Sequence, residues 1–401
     1  MKSFLLHRLW AVLLFLVATV FIISRAAAQS GRFATIEGRI TDRETRKPLA
    51  DVNVFLSGTS LGDATDSLGY YSIQRVPPGV YELVISRIGY EMVTLNIKVL
   101  AGEKPTINYA LKIKVLEMPE VEVSAAKIKR WKKQLKKFTE LFLGTSQNAR
   151  RSRIINAHVI DFEEGGRGRK FVAKARAPLE IENLALGYKV TFILEEFVAE
   201  GENVRFWGKT QFQELPPQSN SQARRWHENR LKTYYGSFRH FIVSALRNRL
   251  QEDGFLVFSL PSWGLSRRQT PRRQLVKPTF VQPGSHAFEV QLQFDGILEI
   301  VYTREEEDPD YVWYRINRRL PRGQWKPGDY IEEQRPRDQV SWIRLNIPLA
   351  LLDTTGYVYE PYALTTYGYW GWERVADMLP RDFTPGPFDD SAIRPRDPNQ
   401  P

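Results

Sequence analysis

Short runs that alternate apolar and polar positions fill the first quarter of the chain. Val52, Val54 and Leu56 occupy every second position, residues 93–99 alternate strictly, and residues 80–87 form a largely apolar run between them. Glycine, proline or aspartate interrupts such runs roughly every ten residues, which marks turns between short strands. This pattern predicts a small all-β sandwich over residues 35–123.

The periodicity changes to a helical one after residue 123. Trp131, Leu135, Phe138 and Phe142 recur at intervals of three or four, with seven lysines and arginines between positions 127 and 137. This spacing predicts a basic amphipathic connecting helix over residues 124–144. The basic face could attach to anionic lipid or lipopolysaccharide, or the helix could pack its aromatic stripe on the next domain; we favour the packing interpretation.

Residues 145–382 show a mixed pattern that predicts a β-rich α+β domain, so the fold class of the whole chain is mainly β or α+β. A long helical stretch is expected over residues 224–251, broken near Gly236, and a short helix over 370–378. Residues 305–310 are expected to form an acidic turn, and residues 385–401 a disordered tail. The predicted strands cover residues 154–162, 171–177, 179–182, 188–197, 204–212, 255–260, 287–294, 296–302, 340–346 and 357–359.

The first residues form a targeting pattern. Lys2 and Arg8 precede an apolar run from Leu9 to Ile23, and three alanines follow at 26–28. A basic segment, a short apolar run and small residues at a cleavage site predict a signal peptide over residues 1–28. An uncleaved anchor is the alternative, although the run is short for a membrane span. We expect an exported protein, either periplasmic or associated with the outer membrane.

The composition of the chain excludes several kinds of functional site. The chain has 401 residues, a formal net charge of +11 and no cysteine. The missing cysteines exclude disulfides, zinc-thiolate sites and thiol nucleophiles. The basic balance could suit nucleic acid. For an exported protein, however, anionic envelope polymers are the more natural partners, so we expect no nucleic-acid binding.

Catalytic motifs are incomplete. His286 and Glu289 match the H-x-x-E spacing of zinc carboxypeptidases, but no histidine follows His286 to complete a metal site. Residues 58–62 match G-x-S-x-G, yet strand patterns flank them where a nucleophile elbow needs a strand and a helix. We therefore expect no metal, no cofactor and no enzymatic activity.

Two groups of residues are candidates for ligand binding. His227, Arg230 and His240 fall on the long helical stretch and could act as acid-base or anion-binding groups, or form a structural polar network. Trp370 and Trp372 lie in an aromatic-rich segment that could stack on sugars. Core packing is the alternative for these tryptophans, and it is favoured.

Six short motifs occur in order in the first region. They are GRITD at 38–42, PLADVNV at 48–54, GTSLG at 58–62, TDSLGYY at 65–71, GVY at 79–81 and GY at 89–90. Together they resemble the carboxypeptidase-like regulatory domain, a transthyretin-like sandwich of bacterial envelope proteins. The resemblance implies a non-catalytic accessory role and no peptidase activity.

The second region resembles the segment that follows this sandwich in other proteins with a carboxypeptidase-like regulatory domain. This resemblance does not identify an activity for the second region. It is carried by residues 138–144, 178–189, 230, 235–241, 254–255 and 368–380. We expect a non-catalytic secreted binding or scaffold protein of the cell envelope, with an envelope protein, a glycan or another anionic polymer as partner. The alternative is an envelope hydrolase acting on glycan or peptide, with its site in the second domain at His227 or His240. Ligand identity, oligomeric state and peripheral contact with the outer membrane stay open.

Overall fold

The computed structural model describes residues 33–114, 124–165, 170–201, 203–261, 273–319 and 337–388. The predicted signal peptide (1–28), the end of the predicted sandwich (115–123) and most of the predicted tail (385–401) lie outside these residues. The chain divides into two compact units: the first ends at Met118, and the second begins at Pro119 and includes Gly58–Ser60. The described chain is mostly β-structure in several sheets, which confirms the predicted β-rich α+β fold class.

The first unit is a sandwich of two sheets, ordered β4-β1-β7 and β3-β2-β5-β6. Strand β1 pairs with β7 in parallel and with β4 in antiparallel orientation. The strands are β1 (Ala34–Asp42), β2 (Asn53–Leu56), β3 (Gly62–Ala64), β4 (Tyr70–Val76), β5 (Gly79–Ser86), β6 (Val93–Val99) and β7 (Tyr109–Leu111).

The core of the sandwich follows from the alternation in its strands. Ile36 and Ile40 of β1 are fully buried in one cluster with Val54 of β2 and Leu83 of β5. Because successive strand residues point to opposite faces, an alternating sequence places one apolar set against the facing sheet. The predicted sandwich therefore has the hydrophobic centre that its pattern indicated.

Helix α1 (Ala125–Phe142) lies within the segment predicted to be the connecting helix. The Ser124 side chain caps it by accepting a hydrogen bond from the backbone N–H of Lys127 at 3.3 Å. Phe138 and Phe142 are fully buried in a core of the second unit. The aromatic stripe is thus the packing face of the helix, and most of its lysines are exposed.

One sheet of the second unit has the order β8-β11-β12-β10-β9, with β13 paired to β12. Its longest feature is the β12–β13 hairpin, whose register shifts between Leu194 and Glu196. The elements are α2 (Gln147–Arg150), β8 (Ser152–Ile154), a 3-10 turn (Ala157–Val159), β9 (Ile160–Gly165), β10 (Lys170–Ala175), β11 (Leu179–Asn183), β12 (Tyr188–Glu200) and β13 (Asn203–Glu214).

The rest of the second unit has four helices, a sheet ordered β15-β14-β18-β19-β21 and a small sheet β16-β17-β20. The first two helices are separated at Gly236, where the sequence predicted a break. The elements are α3 (Asn220–Tyr234), α4 (Phe238–Leu246), β14 (Phe255–Leu260), β15 (Arg273–Gln274), β16 (Val281–Pro283), β17 (Glu289–Leu292), β18 (Ile297–Glu306), α5 (Pro309–Arg319), β19 (Asp338–Leu345), β20 (Ala350–Asp353), β21 (Leu364–Gly368), α6 (Tyr369–Trp372) and a 3-10 turn (Val375–Asp377).

Three local predictions are wrong. The strand predicted over residues 154–162 is divided into β8 and β9 by the 3-10 turn at Ala157–Val159. The acidic stretch 305–310 is not a turn, because β18 continues to Glu306 and α5 begins at Pro309. Its aspartates start a helix: the Asp308 side chain accepts a hydrogen bond from the backbone N–H of Asp310 at 2.8 Å, and proline suits the first helical turn. The predicted strand 357–359 is only an isolated bridge at Val358. Strands β20 and β21 were not predicted.

Within the described residues, no helix combines the length and the apolar character that a membrane crossing requires.

Candidate functional site

A cleft of about 870 Å³ lies in the second unit, between the turn end of the β12–β13 hairpin and strands β19 and β21. Helices α5 and α6 contribute further wall residues. Its aromatic residues are Phe206, Tyr311, Tyr314, Trp342, Tyr362, Tyr367 and Trp370. Its charged residues are Arg205, Arg315, Arg337, Arg344, Arg374, Glu200, Glu307, Asp338 and Glu373.

Strand β19 presents its side chains to the cleft through ordinary strand geometry. Every second residue from Asp338 to Arg344 lines the cleft, and the residues between them are buried. Tyr367 of β21 is paired directly opposite Trp342, and Thr365 directly opposite Arg344. Directly opposite residues share a face of the sheet. The Trp342 and Tyr367 rings are therefore neighbours on one wall, and Arg344 lies two residues from Trp342 on the same face of β19.

A buried acceptor holds the Trp342 ring. Its Nε1 donates a hydrogen bond to Glu299 Oε2 at 2.9 Å, and Glu299 is 1% exposed. A side chain fixed in this way loses little freedom when a ligand stacks on it. The aromatic wall is thus prepared before a ligand arrives.

The arginines of the cleft differ in how they are neutralised. Arg315 pairs with Glu307 at 3.0 Å, and both side chains are buried. Arg205 Nε donates to Glu196 Oε1 at 3.1 Å, while Arg344 reaches only the amide oxygen of Asn346 at 3.4 Å. Within the described part of the chain, Arg344 has no carboxylate partner. Its charge therefore stays available at the cleft surface.

Tyr362 joins two walls of the cleft. Its hydroxyl donates to Glu196 Oε2 at 3.2 Å, the carboxylate that Arg205 also contacts. Burial, together with this carboxylate, raises the pKa of Tyr362 to about 12. Its backbone has a φ of 66°, in the left-handed region that is unusual for an aromatic residue. The Asn346 side chain donates to the Tyr362 carbonyl oxygen at 2.8 Å and stabilises this turn.

Glu373 lies where the cleft meets a smaller cavity of about 100 Å³. Its carboxyl has no hydrogen-bond or ion-pair partner among the described residues. Burial raises the pKa of Glu373 well above its usual range, and the nearby carboxylates of Asp377 and Glu305 add to the effect. This environment favours the neutral acid, which can donate a hydrogen bond.

Asp377 is on the other side of the smaller cavity and is bound by the protein itself. Its carboxylate accepts from Ser146 Oγ at 2.8 Å and from Asn148 Nδ2 at 3.0 Å. Burial raises its pKa to about 6, and these hydrogen bonds act in the opposite direction. The contacts join α2 to the C-terminal segment, so Asp377 has a structural role.

The structure places His227 and Arg230 on α3, outside both cavities. His227 Nε2 is 2.8 Å from the carbonyl oxygen of Gly386. The Arg230 guanidinium lies 4.0 Å from the centre of the Tyr188 ring and donates to the Leu186 carbonyl oxygen at 2.8 Å. These contacts match the structural network that the sequence left open as the alternative.

His240 and Trp370 both contact Gly236. The Gly236 N–H donates to His240 Nδ1 at 3.1 Å, and Trp370 Nε1 donates to the Gly236 carbonyl oxygen at 2.7 Å. Burial lowers the pKa of His240 to about 4. Trp370 is 6% exposed, yet part of its surface lines the cleft.

Trp372 lines the smaller cavity and donates from Nε1 to Thr145 Oγ1 at 3.0 Å. The five predicted site residues are therefore not brought together in one place. Trp370 lines the cleft, Trp372 the smaller cavity, and the two histidines and Arg230 neither.

Sequence reasoning missed Trp342, Arg344 and Glu373, and it placed Tyr367 only within the aromatic-rich C-terminal segment. The sequence did contain a pattern for Trp342 and Arg344. A strand was predicted over residues 340–346, and these two residues are two positions apart in it, so their side chains point to the same face. No comparable signal exists for Glu373, whose environment depends on residues far away in the chain.

No group of three or more histidine, aspartate or glutamate residues within the described ranges is arranged to hold a metal ion.

Comparison with known proteins identifies the first unit. The family model of the CarboxypepD_reg-like domain matches residues 36–123, which confirms the predicted resemblance. The chain is also similar to the TonB-dependent receptor P39 of Formosa agariphila, with 36% identity over 113 residues. That match covers 28% of this chain and only 10% of the receptor.

Solved structures overlap with the chain only locally. A putative carbohydrate binding protein from Bacteroides uniformis is 12% identical, with a TM-score of 0.18, over 41% of this chain and 61% of that one. A putative membrane-associated protein of unknown function from Bacteroides fragilis is 16% identical, with a TM-score of 0.17, over 40% of this chain and 64% of that one.

Proposed function

Because residues 36–123 form a CarboxypepD_reg-like domain, we propose that the chain is a non-catalytic binding or scaffold protein of the cell envelope. In this proposal the sandwich is an accessory or docking module, and the second unit holds the ligand site. An exported location, periplasmic or associated with the outer membrane, is supported by the predicted signal peptide. Similarity to a TonB-dependent receptor supports the same location.

The observation that carries the proposal is the wall formed by Trp342 and Tyr367. Two aromatic rings side by side on a sheet, in a cleft of about 870 Å³, suit the apolar faces of sugar rings. The polar and charged groups around them suit hydroxyl groups. We therefore propose an oligosaccharide as the ligand of the cleft.

Isothermal titration of the purified chain with neutral and acidic hexasaccharides tests this proposal. We expect binding by at least one of these sugars, and Tyr367→Ala should weaken it about tenfold through loss of a stacking surface. Trp313→Ala is the matched control, because Trp313 is 53% exposed and does not line the cleft. No binding by any hexasaccharide, or equal weakening by the control, would count against the proposal.

A hydrolase acting on glycan or peptide is the second candidate, and Glu373 is the observation that favours it. A half-buried carboxyl with a raised pKa at a cleft is how general acids are often built. His227 and His240, the residues first considered for this role, do not line the cleft. If the chain is a hydrolase, Glu373→Gln should abolish turnover and leave the unfolding midpoint nearly unchanged. Absence of turnover in the unaltered chain would exclude this candidate for the substrates assayed.

A further inference from the structure

We propose that the cleft selects acidic oligosaccharides, whose carboxylate or sulfate groups pair with the guanidinium groups of Arg344 and Arg205. This inference rests on the proposed function, since it names the chemical class of the ligand in the same cleft.

The first argument is the balance of charge. Five arginines and four carboxyl residues line the cleft. Arg315 and Glu307 neutralise each other, because they form a pair whose side chains are only 7% and 5% exposed. Arg344 has no carboxylate partner among the described residues, so its positive charge is not compensated within the cleft.

Glu373 contributes less negative charge to the cleft than an exposed glutamate would. Burial and the neighbouring carboxylates raise its pKa, which favours the protonated and uncharged form. A neutral carboxylic acid cancels no arginine, and it can itself donate a hydrogen bond to an anionic oxygen.

The second argument is the position of Arg344. It lies two residues from Trp342 on the same face of β19, a separation of roughly 7 Å along a strand. A sugar ring stacked on Trp342 would therefore hold an acidic substituent at its edge close to the guanidinium. Arginine binds carboxylate and sulfate oxygens through two parallel N–H donors, which neutral hydroxyl groups match less well.

The third argument is the way Arg205 is held. Its side chain is 55% exposed, and it is oriented by Glu196 at 3.1 Å. Glu196 is in turn fixed by the Tyr362 hydroxyl at 3.2 Å. One carboxylate shared between a tyrosine and an arginine leaves donors of Arg205 free for a second anion. Arg205 therefore supplies a second, prepositioned cation on the opposite wall of the cleft.

The experiment compares sugars that differ only in charge. Oligogalacturonate of six units is titrated against its fully methyl-esterified form, and a sulfated galactan hexasaccharide against its desulfated form. We expect each acidic sugar to bind at least tenfold more tightly than its neutral match. Arg344→Gln should remove most of this preference, because it should weaken binding of the acidic sugars far more than binding of their neutral matches. The two acidic series show whether carboxylate or sulfate is the preferred anion.

Arg225→Gln is the matched control: it removes the same charge from an exposed position on α3 outside the cleft. If it weakens acidic binding as much as Arg344→Gln does, attraction by the overall charge is the cause and the inference is overturned. Equal binding of acidic and neutral sugars, both weakened by Tyr367→Ala, would overturn the inference and leave the proposed function standing. No binding by any sugar would overturn both, and tighter binding of a single-stranded hexanucleotide than of every acidic sugar would overturn the choice of ligand class.

Discussion

Trp370 Nε1 donates a hydrogen bond of 2.7 Å to the carbonyl oxygen of Gly236. The N–H group of the same glycine donates to His240 Nδ1 at 3.1 Å. Two side chains from different elements therefore hold one residue in the break between α3 and α4. The sequence suggested His240 and Trp370 as ligand-binding residues. In the structure their ring nitrogens instead form hydrogen bonds with the backbone of Gly236.

Trp370→Phe should lower the free energy of unfolding of the second unit by about 1–3 kcal/mol. The aromatic ring is kept, but a buried carbonyl oxygen loses its hydrogen-bond donor. Urea denaturation followed by tryptophan fluorescence measures the change. Trp313→Phe, at a residue 53% exposed, is the control and should change the free energy by less than about 0.5 kcal/mol. Equal effects of the two substitutions would show that the bond to Gly236 adds no stability.

Gly236→Ala should destabilise the second unit more than Gly201→Ala. Both glycines have positive φ angles, 77° and 60°, so both substitutions bear the conformational cost of about 1 kcal/mol. A Cβ at Gly236 would lie 2.7 Å from Cδ1 of Tyr302, whereas nothing lies within 4 Å of a Cβ at Gly201. The difference between the two urea midpoints therefore measures only the steric cost of the Cβ at position 236 against Tyr302. Identical midpoints would mean that Tyr302 moves aside without cost.

Acid should weaken the second unit through His240. Burial lowers the pKa of this histidine to about 4, below the value of about 6.5 in an unfolded chain. The folded state therefore binds the proton less tightly than the unfolded state. The stability this provides is complete above about pH 6.5 and is lost as the pH falls towards 4.

The measurement is the free energy of unfolding of the unaltered chain and of His240→Gln between pH 4.5 and 7. The unaltered chain should lose more stability on acidification than the variant, which has no imidazole to protonate. Parallel curves would show that His240 titrates normally in the folded protein.

Asp377 should have the opposite effect to His240, because its ionisation should make the second unit less stable as the pH rises. Burial raises its pKa from 3.8 to about 6, so the folded state binds this proton more tightly than the unfolded chain does. Its ionisation therefore lowers stability as the pH rises from about 4 to above 6, by up to roughly 3 kcal/mol for a shift of this size.

Asp377→Asn removes this titration, although it also replaces one acceptor of the hydrogen bonds from Ser146 and Asn148. As the pH rises from 4 to 7, the variant should become progressively more stable relative to the unaltered chain. The lost hydrogen-bond acceptor shifts the stability of the variant by an amount that does not depend on pH. A difference that stays constant with pH would contradict the raised pKa.

Local sequence patterns predicted those elements whose fold depends on neighbours in the chain. The alternation at residues 52–56 and the aromatic spacing from Trp131 to Phe142 each describe one buried face, and both faces are buried in the structure. The break at Gly236 was also visible, because glycine readily adopts a positive φ. Strand β21 was not visible, because Thr365, Thr366 and Tyr367 are half-buried beside a cleft and form no apolar face.

The candidate site could be predicted only in fragments. Trp370 was singled out, but its neighbours in the cleft come from β13, α5 and β19, and nothing in the sequence records that these elements meet. The raised pKa of Glu373 depends on burial and on Asp377 and Glu305, and Glu305 lies on β18, far from Glu373 in the sequence. Electrostatic environments of this kind exist only after the chain has folded.

The hydrogen bonds of the C-terminal segment have a consequence for how the protein is made. Trp372 bonds to Thr145 across 227 positions, and Asn183 bonds to Ala376 across 193. A chain emerging from its N-terminus would present the sandwich and the β12–β13 hairpin long before the residues that complete the cleft. A product of premature termination at residue 368 would keep both and lack α6, Glu373 and Arg374. The wall of the cleft would therefore be completed only after residues 370–374 had been synthesised.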